Sequence, residues 1–134
     1  MNKWKKVAVF TMGSLMFLNL GMNTAQARWI GNFSNFQVTY SGGEAPTSFV
    51  GKSVTDRRGV VNLNGDTGTA WVTANMRNSA GAFRGGVTLQ RNTRRTFATP
   101  NAQGGFAYRL GIRKTNNTGG GSVNITGSWS PDEF

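Results

Sequence analysis

FAYRLGIRKTNNTGGGSVNITGSW, residues 106–129, decides the fold class. Phe106, Tyr108, Leu110 and Ile112 alternate with Ala107, Arg109, Gly111 and Arg113. Strict alternation is the mark of a β-strand with one face in the core and one in water. Thr115 to Gly121 is pure turn and loop chemistry. Val123, Ile125, Gly127 and Trp129 then alternate with Ser122, Asn124, Thr126 and Ser128. The stretch predicts a hairpin of two antiparallel strands, apolar inside and Arg/Ser/Thr/Asn outside.

The same grammar runs back toward the N-terminus. Phe36, Val38 and Tyr40 alternate with Gln37 and Thr39, which predicts a first strand. Ser48 to Val54 is a weaker strand broken by Gly51, and Val60 to Leu63 a short one. Asn64-Gly65 reads as a tight hairpin turn into Thr69 to Met76, a β-branched and aromatic run. Asn78 to Gly81 turns again. Val87 to Arg91 and Arg94 to Ala98 are strands separated by Asn92-Thr93. Pro131 lacks a donor, so the tail cannot extend a central strand. No helical period is sustained after Ala27. The expectation is an all-β, single antiparallel β-sandwich, jelly-roll or immunoglobulin-like, of roughly seven to eight strands.

Residues 1–27 read differently. Lys3, Lys5 and Lys6 precede an apolar run from Val7 to Met22, and Ala25-Gln26-Ala27 follows. That is the layout of a secretory signal peptide, cleaved after Ala27. The apolar run is shorter than the roughly 20 residues needed to cross a bilayer. The expected domain is Arg28 to Phe134, secreted and soluble, a monomer or weak homo-oligomer. Cysteine and histidine are both absent. This excludes disulfides, the common zinc sites and the Ser-His and Cys-His nucleophile pairs.

Charge is the strongest compositional feature. The chain carries +10. Without the three signal lysines, 12 basic side chains face 5 acidic ones, a net +7. All of the 12 but Lys52 and Lys114 are arginine, whose planar fork matches phosphate and carboxylate. A basic secreted protein points to an anionic partner. Catalysis is disfavoured: Asp132 and Glu133 are adjacent and would point apart on an extended segment, and Asp56 sits beside Arg57 and Arg58. Asn62-x-Asn64-x-Asp66 resembles the start of a calcium loop, but it lacks the later glutamate and reads better as a turn. No metal, cofactor or catalytic residue is assigned.

The candidate anion-binding residues are Arg91, Arg94, Arg95, Arg109, Arg113 and Lys114. Arg109 and Arg113 share a face because their separation is even. If Arg84 to Arg95 packs beside the C-terminal hairpin, one broad cationic patch results. Trp71, Phe106, Tyr108 and Trp129 sit at inward parity and are expected in the core. Trp29, Phe33 and Phe134 lie near the ends and are the candidate exposed aromatics.

Several pieces carry a family resemblance: Asn35-Phe36-Gln37-Val38, Thr69-Ala70-Trp71-Val72, Asn116-Asn117-Thr118 and Val123-Asn124-Ile125-Thr126-Gly127-Ser128-Trp129-Ser130-Pro131-Asp132. The chain resembles small secreted proteins of Gram-positive bacteria, some of them similar to the lactococcin group of β-sandwich bacteriocins. That resemblance implies a β-sandwich acting at the cell envelope. The chain lacks the histidines and the N-terminal Gly/Trp pattern of that group, so no functional residue is carried over.

These readings converge on a secreted, basic, non-enzymatic protein. Its expected partner is an anionic envelope polymer or lipid surface, in a bacteriocin-like role. The alternatives are a carbohydrate- or matrix-binding module using Trp29, Phe33 or Tyr40, and an inhibitor inserting the loop from Gly42 to Ser48 into another protein. Extracellular nucleic-acid binding fits the charge but lacks any recognised module.

Overall fold

The structure, a computed structural model, describes residues 29–64, 70–116 and 121–134. The signal-peptide reading of residues 1–27 lies outside them, as do Gly65 and Asp66 of the predicted turn and residues 117–120 of the C-terminal loop.

Every described element is a strand. In chain order they are β1 (Gly31–Thr39), β2 (Ala45–Pro46), β3 (Val50–Gly51), β4 (Gly59–Leu63), β5 (Trp71–Arg77), β6 (Phe83–Gln90), β7 (Arg94–Phe97), β8 (Ala107–Lys114) and β9 (Ser122–Ser130). The first sheet has the order β1-β9-β4-β7, the second β2-β8-β5-β6, with β3 also on β8. All pairs are antiparallel.

The chain shuttles between the sheets. Apart from the short break between β2 and β3, only β5 and β6 are consecutive strands in one sheet. An immunoglobulin-like sandwich keeps several consecutive strands paired. With β2 and β3 taken as one broken edge strand, this is the strand order of an eight-stranded jelly roll.

Two expected hairpins are therefore corrected. β8 belongs to the second sheet and β9 to the first, so residues 106–129 do not pair with each other. β4 and β5 are likewise in different sheets, so Asn64-Gly65 does not join a hairpin. Alternation says which face of a strand is buried; it does not say against which neighbour the edge bonds. The true hairpin turn is Asn78 to Gly81. The Asn78 side-chain oxygen accepts from the amides of Ala80 (3.0 Å) and Ala82 (2.8 Å), and Gly81 takes φ +89°.

The core lies between the sheets. Phe33, Val38, Val61, Leu63, Phe97, Ile125 and Trp129 come from the first, and Val50, Val72, Ala74, Met76, Leu89, Tyr108, Leu110 and Ile112 from the second. Trp129 is fully buried across from Gly31, where an added Cβ would stand 2.9 Å from the indole Nε1.

The aromatic expectations divide. Tyr108 and Trp129 are buried, but Trp71 and Phe106 are exposed. In β5 the inward set is Val72, Ala74 and Met76, which turns Trp71 outward. Phe106 has inward parity but precedes β8. Phe33, expected at the surface, is only 7% exposed. The cause is a bulge between Phe33 and Phe36, with Asn35 at φ 50°. The extra residue reverses the parity, so Phe33 and Phe36 both turn inward, ring centroids 5.8 Å apart.

The tail holds one end of the sandwich. Lys52 Nζ lies 3.1 Å from Asp132 Oδ1, and both side chains are essentially out of water. The ammonium also donates to the carbonyls of Arg57 and Pro131, each at 2.6 Å. Asp132 accepts from the backbone N–H of Ser53 at 2.5 Å. Glu133 N–H closes on the Arg58 carbonyl at 2.6 Å. A buried pair of this kind contributes little net stability over a hydrophobic substitute, but one half left alone is costly. Asp132→Ala is therefore expected to destabilise the fold by about 3–5 kcal/mol. Lys52→Met with Asp132→Leu should recover most of that loss, as read from denaturant-unfolding midpoints.

Candidate binding face

Side chains pointing away from the core on the second sheet build one continuous surface. β5 contributes Trp71, Thr73, Asn75 and Arg77, the residues between its buried positions. β8 contributes Ala107, Arg109, Gly111 and Arg113. The ladder places Thr73 beside Arg113, Asn75 beside Gly111 and Arg77 beside Arg109. On the far side Trp71 pairs with Gln90, Thr73 with Thr88, Asn75 with Gly86 and Arg77 with Phe83. Because registered partners share a face, these residues are neighbours.

Each arginine of this face stands over an aromatic ring. The Arg109 guanidinium carbon lies 5.0 Å from the centre of Phe49, Arg113 5.7 Å from Tyr40, and Arg77 6.0 Å from Phe83. All three rings are exposed. Stacking holds a guanidinium in place while leaving its in-plane N–H donors free to point outward. Arg113 spends one donor on the Tyr40 carbonyl, at 2.9 Å. Among the described residues, the Arg109 guanidinium has no hydrogen-bond or ion-pair partner. Trp29 adds a platform at the end of the face, its ring 3.6 Å from where a Cβ on Gly51 would stand. Gly51 pairs with Ala107 and points the same way.

Glu44 crosses this surface. Its backbone precedes β2 at the sheet edge, and its side chain reaches across Gly111 to β5. A Cβ on Gly111 would collide with Oε1 of Glu44, so Glu44 takes this path over a glycine. Arg77 grips the carboxylate with two parallel bonds, Nε to Oε1 and Nη2 to Oε2, both 2.8 Å. Asn75 Nδ2 adds a third at 2.8 Å. The hydrogen bonds from Arg77 hold the Glu44 carboxyl below its ordinary value, against partial burial, helped by Asn75 and the charges of Arg77 and Arg113.

The six basic residues expected together are not together. Arg109 and Arg113 lie on this face. Arg94 is on β7, registered with Asn62 of the first sheet, and stacks on Phe134 at 5.5 Å. Asn62 sits between the core residues Val61 and Leu63, so Arg94 faces outward on the opposite side of the sandwich. Arg95 is exposed on the same edge strand. Arg91 donates to the Asn124 carbonyl of the first sheet at 2.5 Å. Lys114 is 1% exposed, at the inward parity of β8, and belongs to the interior. The single patch is thus corrected to a smaller one of Arg109 and Arg113, joined by Arg77. Of the candidate aromatics, Trp29 and Phe134 are exposed and Phe33 is core.

The segment named for the inhibitor alternative is partly strand. Within Gly42 to Ser48, Ala45 and Pro46 pair with β8, and Thr47 exchanges two bonds with Leu110, N–H to carbonyl at 2.9 Å and N–H to hydroxyl at 3.0 Å. Residues 45–47 are thus bonded to the sheet edge.

Arg77, Phe49, Phe83 and Glu44 are the site residues that sequence reading missed. The signal for Arg77 was the Val72, Ala74, Met76 alternation, which puts every odd residue of β5 outward. Nothing local marks Glu44, whose partners are on a strand 31 and 33 residues away.

A depressed carboxyl contributes stability above its unfolded value and loses it as pH falls through the folded one. The stability difference between the protein and its Glu44→Gln variant is expected to be full at neutral pH. It should shrink only below the ordinary value of 4.5. Thermal melts across that range check this.

Compared with known proteins, the chain matches no protein-family model and no curated protein sequence.

Proposed function

We propose that this is a secreted, non-enzymatic binding protein that attaches to an anionic component of a cell envelope through the outer face of its second sheet. The carrying observation is the pair of guanidiniums of Arg109 and Arg113, each stacked on an exposed ring of one rigid face. Stacked arginines present forks already oriented for carboxylate or phosphate. The described carboxylates nearest to catalytic use are otherwise engaged: Glu44 is held by Arg77 and Asp132 by Lys52. Attachment of this kind is the first step of a bacteriocin-like antagonist, the use that the resemblance to Gram-positive β-sandwich proteins implies.

The carbohydrate-module reading draws on the same surface. Trp29, Tyr40, Phe49, Trp71 and Phe83 are all exposed. An exposed aromatic set of this size on a sheet face marks an interaction site. The two readings merge if the envelope component is an acidic glycan.

Cosedimentation with isolated Gram-positive cell walls tests the proposal. Retention should weaken as salt rises, because exposed charges are screened over about 8 Å at physiological ionic strength. Arg109→Ala with Arg113→Ala should lower affinity about tenfold, roughly the summed weight of two exposed ionic contacts. Arg94→Ala, on the opposite face, should leave it unchanged. Retention indifferent to salt and to the Arg109/Arg113 pair would remove the reading.

A further inference from the structure

The outward positions of β8 do not form a uniform cationic row. Arg113 and Arg109 are four residues apart, about 13 Å at roughly 3.3 Å per strand residue. Between them lies Gly111, and over Gly111 lies the carboxylate of Glu44. That carboxylate is matched by Arg77, so the centre of the face carries no net charge. Its oxygens still have acceptor capacity, and its side chain is 23% exposed. Along β8 the surface therefore reads cation, neutral acceptor, cation.

An occupant must match that sequence. We infer that the ligand is a linear acidic polysaccharide in which charged and neutral units alternate, lying along β8 with acidic units at Arg113 and Arg109 and a neutral, hydroxyl-bearing unit over Glu44. This rests on the binding reading above and narrows it. A polymer charged at every unit would press an anion against the Glu44 carboxylate. A neutral sugar instead donates a hydroxyl to it. Tyr40 and Phe49, under the two arginines, offer apolar edges to the flanking sugar rings, and Trp29 extends the track beyond Arg109. A lipid surface has no fixed spacing of charge and no sugar ring to stack, so it uses none of these features.

Binding by isothermal titration at matched ionic strength decides it. The probes are an alternating glucuronate–N-acetylglucosamine polysaccharide, polygalacturonate, poly(glycerol phosphate) and vesicles containing phosphatidylglycerol. Charge density alone ranks the alternating polymer below the two homopolymers. The inference requires the reverse, a preference of about fivefold for the alternating polymer, the weight of one avoided like-charge contact. Glu44→Gln should abolish that preference by letting the homopolymers gain more than the alternating one. Affinities that follow charge density, vesicles that bind best, or a ratio unmoved by Glu44→Gln would each overturn it while leaving attachment to anionic envelopes intact. If Glu44→Gln does not fold, the ranking by the unaltered protein decides alone. Loss of salt-dependent binding to every probe would remove both readings.

Discussion

β5, β8 and β9 each have one apolar face, and an apolar face on a single sheet needs a second sheet to cover it. That constraint shapes everything else. β8 buries Tyr108, Leu110 and Ile112, and β9 buries Ile125 and Trp129. Side by side in one sheet, these strands would lay their apolar residues on a common face that still needed a cover. Placed in opposite sheets, they cover each other. The shuttling jelly-roll order is the chain's repeated use of this solution. The outward face of the second sheet is left to carry Arg77, Arg109 and Arg113 beside exposed rings.

The same alternation explains what could and could not be read from sequence. Fold class was legible, because alternation, turn residues and the absence of a helical period are local. Pairing was not, since a strand's hydrogen-bonding edges carry no side-chain signature. Phe33 was placed at the surface for its nearness to the chain end, whereas the bulge at Asn35 turns it inward with Phe36. Trp71 was misread because a large aromatic is an easy candidate for the core, whereas Val72, Ala74 and Met76 set the phase of β5. Lys114 sits at the inward parity of its own strand, and only the expectation that charges face water hid this. Of the candidate site, Arg109 and Arg113 were legible from even spacing. The outward position of Arg77 was legible from the β5 alternation, but its pairing with Glu44 was not, because it is made across β8, at a sequence distance of 33 residues.

The two ion pairs show how burial separates structure from chemistry. Lys52 and Asp132 are shut off from water, and their remaining polar atoms are met by backbone groups from residues 53, 57 and 131. Such a pair fixes the position of the tail and is closed to a ligand. Glu44 and Arg77 are partly exposed. Solvent screening makes the pair weak as a source of stability, with exposed pairs contributing about 0–1 kcal/mol. Its bidentate geometry instead sets a local charge pattern that solvent, and therefore a ligand, can reach.

That pattern is set by the backbone of the sheet, which is what favours this face over the surrounding loops in the proposed binding mode. Arg109, Gly111 and Arg113 are held at their spacing by ladder bonds to β5, and Glu44 can cross only because Gly111 has no side chain. The rings of Phe49 and Tyr40 then limit where the two guanidiniums can go. Little ordering is left to be done when a ligand arrives, so little of the interaction is lost to entropy. A flexible basic loop would attract any polyanion in proportion to its charge. In the proposed binding mode, a row of cation, compensated pair and cation would discriminate by where the charges fall, with the Glu44 carboxylate as the discriminating element.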